Sequence, residues 1–195
     1  MIVGITGGIG CGKSVVSKII DLMGYPIYDS DKNAKKLTDE SNKIRQGLIT
    51  RFGHKIYDGE RLDRKLLAKE IFREEENRTY VNELIHPVVL DDFLQWSKFQ
   101  LKRSNIVFIE SAILFESGFY KYVDKILLVT SPYDLRIERI KKRDKLSVED
   151  IMSRLNSQLS QEYLLKRADF IVQNDEKKSL IKQIYEYFRG ALEEQ

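Results

Sequence analysis

Cysteine is nearly absent. Cys11 is the only one in 195 residues, which excludes an internal disulfide and any metal site built from several thiolates. No apolar run approaches the roughly 18 residues of a membrane span, so no membrane partner is expected. Charge of one sign is also lacking. The 33 Lys and Arg against 30 Asp and Glu leave a net charge of +3, and the two signs are interspersed. That balance fits an anionic small molecule better than a polynucleotide, so no nucleic acid is expected. The first residues show no succession of charged segment, apolar stretch and cleavage site, so no secretory signal is expected and the cytoplasm is the expected compartment. Internal repeats, low-complexity tracts and linkers are missing too. What remains is 42% hydrophobic and 32% charged, an ordinary globular composition. The length suits a single domain, 1–195, able to bury about 70% of its unfolded surface. A monomer is expected, with an oligomer left open.

The stretch Gly4 to Ser14 organises the rest. Ile2 to Ile5 is a short apolar, β-prone run, followed by glycines at 7, 8, 10 and 12 and by a helical pattern from Lys13. Gly7-x-x-x-x-Gly12-Lys13-Ser14 matches a P-loop, in which backbone N–H groups cradle phosphates, the Lys reaches the outer phosphates and the hydroxyl holds Mg²⁺. Glycines allow positive φ and close approach, and the helix N-terminus adds donors and a favourable dipole. ATP and Mg²⁺ are therefore the expected co-substrate and metal. The nucleotide-binding run is Gly8, Ile9, Gly10, Cys11, Gly12, Lys13, Ser14 and Val15, with Ser14 also a metal ligand.

Downstream, apolar spacing predicts a helix that ends at Gly24, and Pro26-Ile27-Tyr28 reads as a second strand. That strand delivers Asp29-Ser30-Asp31 to its carboxyl end, where open α/β sheets bind ligands. Either carboxylate can face the P-loop, or Asp29 or Ser30 can simply cap a helix over Lys32 to Leu37. Residues 30 to 104 read as almost wholly helical, with segments near 41–52, 64–76 and 77–102 and a turn at Asp58-Gly59, which suggests an inserted acceptor-binding subdomain. Asp63 can cap, and Arg64 either pairs with a carboxylate or clamps an anion. His86 reads as packed more readily than as a base, and Pro87 as starting or kinking a helix. Phe93, Trp96 and Phe99 read as core.

The run Ile106 to Ile109 fits a strand buried on both faces and ends at Glu110, which either caps the strand or supports Mg²⁺. Ile113-Leu114-Phe115-Glu116 reads as an apolar loop closed by an acid, which offers a wall for the acceptor pocket. Lys125 to Thr130 is a further strand, and Ser131-Pro132-Tyr133-Asp134 starts a helix with Ser at the cap. Arg139 and Arg143 share a face of that helix and can point at one polyphosphate. Residues 144 to 167, carrying Arg154, Gln158 and Lys166, look like a mobile lid. Ala168 to Val172 is the last strand, followed by a helix from about Lys178 to Glu193. Five strands alternating with helices predict a parallel, helix-covered sheet.

The ordered series resembles the dephospho-CoA kinase family almost end to end. It comprises the P-loop stretch, Asp29-Ser30-Asp31, Phe52-Gly53, Leu62-Asp63-Arg64, His86-Pro87, Leu114-Phe115-Glu116, Arg139 with Arg143-Asp144, Arg154 with Gln158, and Ala168-Asp169 with Asn174. The resemblance implies a P-loop NTPase α/β fold with a core at 1–30, 105–140 and 168–195, an acceptor-binding insertion at about 31–104 and a lid at about 141–167. It implies transfer of phosphate from ATP to the ribose 3′-hydroxyl of 3′-dephospho-CoA. The roles it suggests are Asp31, Lys13, Arg139 and Arg143 as catalytic residues, with Asn174 beside the nucleotide. Asp29, Asp31, Arg64, His86, Leu114 and Glu116 would touch the acceptor, and Ser14 and Glu110 the metal. The acceptor hydroxyl needs a carboxylate within reach as general base, and Asp31 is preferred for it, with Asp29 as second choice or as support for Mg²⁺. Cys11, Ser30 and Ser111-Ala112-Ile113 depart from the family's usual Ser, Ala and Pro-Leu. Cys11, near a helix N-terminus, is expected to alkylate readily and to be protected by ATP.

Two other readings compete. A kinase for a nucleoside monophosphate or shikimate would share the loop and lid. A GTP switch would need an Asn-Lys-x-Asp element, and Asn42-Lys43-Ile44-Arg45 lacks the Asp, while Asp21-Leu22-Met23-Gly24 only ends the first helix.

Overall fold

The computed structural model describes residues 1–144, 147–156 and 158–193. The expected lid range includes residues 145, 146 and 157, and the expected core includes 194 and 195; these five lie outside the described residues. In chain order the elements begin β1 (Ile2–Thr6), α1 (Lys13–Leu22), β2 (Ile27–Asp29), α2 (Ser30–Glu40), α3 (Asn42–Phe52), β3 (Tyr57–Asp58) and β4 (Arg61–Leu62). There follow α4 (Arg64–Arg73), α5 (Glu75–Gln100), β5 (Val107–Glu110), β6 (Lys125–Thr130) and α6 (Tyr133–Asp144). The chain ends with α7 (Val148–Asn156), α8 (Gln161–Leu165), β7 (Phe170–Gln173) and α9 (Leu180–Glu193). It divides into two compact units, residues 1–27 with the chain from Gln100 onward, and Tyr28–Phe99.

The sheet has the order β2-β5-β1-β6-β7, and four of its strands, β5, β1, β6 and β7, belong to the first unit. β1 pairs in parallel with β5 and β6, and β6 with β7. The apolar runs explain this order. Val3, Ile5, Val107, Phe108, Ile109 and Leu127 are wholly buried, as central strands covered on both faces must be. On one face Val3, Ile5, Phe108, Leu127 and Val129 pack with Val16 and Ile20 of α1 and Ile184 and Phe188 of α9, each such side chain contributing roughly 1.5–3 kcal/mol. With β1 in the middle, its carboxyl end at Thr6 opens into the P-loop beside Glu110 and Thr130, the last residues of β5 and β6.

The second unit packs Ile44, Leu48, Ile56, Tyr57, Leu62, Leu67 and Val81 into its own core. It is not wholly helical. β3 and β4 form an antiparallel hairpin, Tyr57 opposite Leu62 and Asp58 opposite Arg61, and the turn at Asp58-Gly59 is its tip. Strands of two residues leave no alternation for a sequence to display. α5 runs through Pro87, and Phe99 is 51% exposed rather than core. Asp63 caps α4, accepting from the Lys65 and Leu66 amides at 3.0 Å each. Among the described residues no helix is long and apolar enough to cross a membrane.

Candidate active site

The loop between β1 and α1 wraps its backbone into a nest. Gly12 precedes α1 in the left-handed region at φ 87 and no side chain caps the helix, which leaves the Lys13 and Ser14 amides for an anion, while the Val15 amide already donates to the Gly12 carbonyl at 3.1 Å. A Cβ at Gly12 would also strike Nδ2 of Asn174. Lys13 Nζ donates to the loop's own Gly7 carbonyl at 2.9 Å, a neutral acceptor and so a weaker partner than a charged oxygen. Ser14 and Val15 are exposed on the first turn of α1.

Asn174 follows β7 and is buried. Its Nδ2 donates to the Cys11 carbonyl at 2.9 Å and its backbone N–H to the Thr130 carbonyl at 2.8 Å. Its own carbonyl accepts from the Ser131 hydroxyl at 2.8 Å. The residue expected beside the nucleotide thus ties the end of β7 to the P-loop backbone. Ser131 serves this tie instead of capping α6.

The two arginines expected to converge on one polyphosphate have separate partners in this structure, and Arg139 reaches the loop, donating to the Gly10 carbonyl at 3.4 Å. Arg139 donates to Ser131 Oγ at 3.0 Å and pairs with Glu176 at 2.9 Å, whereas Arg143 is exposed and grips Asp144 through two bonds at 2.6 and 2.9 Å. That bidentate grip holds the Asp144 carboxyl below the usual range. A local carboxylate for each guanidinium outweighs their shared face. Two further residues also reach the loop: Gln158, expected in the lid, and Arg136, to which sequence reasoning gave no role. Arg136 Nε donates to the Ile9 carbonyl at 2.9 Å, and Gln158 Oε1 accepts from the Ile9 N–H at 2.8 Å. The one available signal for Arg136 was its position three residues before Arg139, on the same helix face. A hollow of about 300 Å³ adjoins this region, bordered by Thr130, Tyr133, Gln161, Gln173 and Asp175.

Cys11 corrects a second expectation. It is 1% exposed, and burial pushes its thiol above the ordinary value despite the opposing charge of Lys13. The helix N-terminus is therefore no licence for thiolate here. Maleimide labelling at neutral pH should be slow with or without ATP and complete only in denaturant, as mass spectrometry of the intact chain will show. Rapid labelling of the folded protein would contradict the burial.

Leu114 is the third correction. It is wholly buried, its Cδ2 2.7 Å from where a Cβ on Gly4 would lie, so it fills the space over β1 and cannot wall an acceptor pocket. Glu116, two residues on, is exposed.

In the second unit, Asp29 is the N-cap of α2, accepting from the Lys32 amide at 2.8 Å. Asp31 is exposed in the first turn of that helix, where the dipole favours a carboxylate. Tyr28 just before them is buried and donates to Asp92 at 2.6 Å, which fixes the start of α2. Arg64 takes the salt-bridge alternative, to Asp39 at 2.6 Å, and also donates to the Lys35 carbonyl at 2.8 Å. His86 is half-buried, and burial lowers its pKa.

The donor set also suits Mg²⁺, a hard cation that takes one or two protein oxygens and fills its octahedron with water and phosphate. Ser14 is the second residue of α1, and Glu110 ends β5 opposite Ile5 of β1. Both offer oxygen at the phosphate-binding end of the sheet.

Comparison with known proteins shows the family and the fold. The sequence profile of the dephospho-CoA kinase family matches residues 1–179. A dephospho-CoA kinase from Bacteroides fragilis is 45% identical, the match covering 94% of this chain and 89% of that one. Among solved structures, TT1252 from Thermus thermophilus superposes with a TM-score of 0.84 at 29% identity, covering 98% and 97% of the two chains. The dephospho-CoA kinase from Campylobacter jejuni does so at 0.72 and 30% identity, covering 96% and 95%.

Proposed function

The chain belongs to the dephospho-CoA kinase family, and from that membership we propose which of its residues carry the reaction. The protein is a phosphotransferase that uses ATP to phosphorylate dephospho-CoA, the final step of coenzyme A biosynthesis. The phosphoryl group goes to the ribose 3′-hydroxyl.

Phosphoryl transfer is mainly positioning and stabilisation of charge. Amides of the loop, among them Gly10, Gly12, Lys13 and Ser14, receive the β and γ phosphates, while those of Ile9, Cys11 and Val15 are taken up by Gln158 and by the Gly8 and Gly12 carbonyls, and Lys13 exchanges the Gly7 carbonyl for a phosphate oxygen. The adjoining hollow has room for the base, and Asn174 keeps the loop in shape from beneath. Ser14 and Glu110 would hold Mg²⁺, which when bound would neutralise charge on the phosphates. Arg139, braced by Ser131 and Glu176, adds positive charge beside the loop, while Arg143 must leave Asp144 to reach a phosphate. Asp31 accepts the proton of the ribose hydroxyl. Asp29, Arg64, His86 and Glu116 contact the acceptor, with Arg64 released from Asp39 when an anion competes. The protein acts in the cytoplasm as a monomer, which sizing against its 22.9 kDa mass tests.

The observation that carries this assignment is the nest itself, with Gly12 in the left-handed region and Lys13 on the Gly7 carbonyl. Incubation with ATP, Mg²⁺ and 3′-dephospho-CoA should yield coenzyme A and ADP by mass spectrometry. Phosphorylation of shikimate or a nucleoside monophosphate in its place would overturn the acceptor assignment.

A further inference from the structure

We propose that Arg136 is a positioning residue for phosphoryl transfer, holding the Ile9–Gly10 peptide so that the Gly10 N–H faces the phosphates. The proposal rests on the kinase reading and adds a residue to it. α6 lies against the P-loop at this point: a Cβ added to Gly10 would sit 2.8 Å from the Arg136 carbonyl oxygen. The side chain then turns over Gly8, where an added Cβ would strike Nη2 and lie 2.8 Å from Cζ. The guanidinium therefore lies on bare backbone, and only a residue without a side chain at position 8 admits it. From there Nε donates to the Ile9 carbonyl at 2.9 Å.

In a trans peptide the carbonyl and the following N–H point to opposite sides. Fastening the Ile9 oxygen to Arg136 thus commits the Gly10 N–H to the other side. Gly10 and Gly12 both have positive φ, 79 and 87, so this arc has the freedom to turn a peptide over. A turned peptide would aim a carbonyl at phosphate oxygens and replace attraction with repulsion. Ile9 is also held at its N–H by Gln158, so one residue is gripped at both polar groups by side chains 127 and 149 positions away. Such a grip fixes an orientation rather than adding buried apolar area.

The test uses the full chain with Arg136→Ala and Arg136→Gln. In Arg136→Ala, kcat should fall about a hundredfold, the scale of losing one preorganised donor, with KM for 3′-dephospho-CoA unchanged within about twofold. Affinity for a non-hydrolysable ATP analogue should fall about tenfold by calorimetry, since the ground state shares part of the loss. Added ethylguanidinium at millimolar concentration should restore kcat in Arg136→Ala, and Arg136→Gln, which keeps a donor, should lose less. A kcat within threefold of the unsubstituted chain, or a loss that neither ethylguanidinium nor Gln relieves, would overturn the proposal. So would a fall in melting temperature beyond about 10 °C in both variants, more than a single lost hydrogen bond explains. Failure of the unsubstituted chain to make coenzyme A would sink the kinase reading instead, and the analogue titration reads Arg136 independently of it.

Discussion

Asp31→Asn is expected to lower kcat by about a hundredfold or more, the range of general-base loss, while affinity for ATP stays near that of the unsubstituted chain. The substitution keeps the size of the side chain and its hydrogen-bonding reach but removes the ability to accept a proton. Asp31 stands exposed in the first turn of α2, and an Asn of the same size there tests proton acceptance alone. Asp29 makes a useful contrast. Its carboxylate caps α2, and Asp29→Asn, which can still cap, should cost far less if Asp31 is the base. Steady-state kinetics give kcat, and calorimetry with ATP gives affinity. A hundredfold loss corresponds to about 2.7 kcal/mol of transition-state stabilisation. Near-normal turnover in Asp31→Asn would remove Asp31 from the role, and a loss of ATP affinity would show that it acts on the nucleotide instead.

How much of this was legible before any coordinates depended on how local each signal is. The five strands and the P-loop were readable because buried parallel strands are short unbroken apolar runs and the loop is one contiguous string. The helix boundaries near Asn42, Phe52 and Arg64 were readable because caps and glycines mark them. The β3–β4 hairpin was not, since two residues per strand carry no periodicity. Leu114 was misread because an apolar residue beside a polar one looks the same whether it lines a pocket or fills a core; only packing against Gly4 decides. The arginines of α6 show the same limit. Their spacing gives the shared face correctly, but which of them meets the P-loop depends on a helix docking across more than a hundred residues of chain, and that places Arg136 rather than Arg143 on Ile9. Cys11 was misjudged by weighing the helix dipole without the desolvation that outweighs it.

Gly12→Val should have the larger effect on the nucleotide site, lowering kcat/KM for ATP by about a thousandfold, or about 4 kcal/mol at 1.36 kcal/mol per decade. Two costs combine at one atom. A residue with a Cβ at φ 87 sits in a region that costs about 1–2 kcal/mol, and a branched one suffers most. The new Cβ also meets Asn174 Nδ2 and displaces it from the Cys11 carbonyl, leaving a buried amide and a carbonyl short of partners at roughly 1–3 kcal/mol. The loop escapes both by changing shape, and its shape is what binds phosphate. The sheet beneath, held by Val3, Ile5, Phe108 and Leu127, has no part in the collision, so the variant should still melt cooperatively, a few degrees lower at most. Gly24→Ala separates the two costs. Gly24 has φ 90, yet nothing lies within 4 Å of its missing Cβ, so that variant carries the backbone strain alone and should keep its affinity for ATP. If Gly24→Ala lost nucleotide binding as Gly12→Val does, general destabilisation would explain both. If Gly12→Val kept it, the tie from Asn174 would not be what shapes the loop.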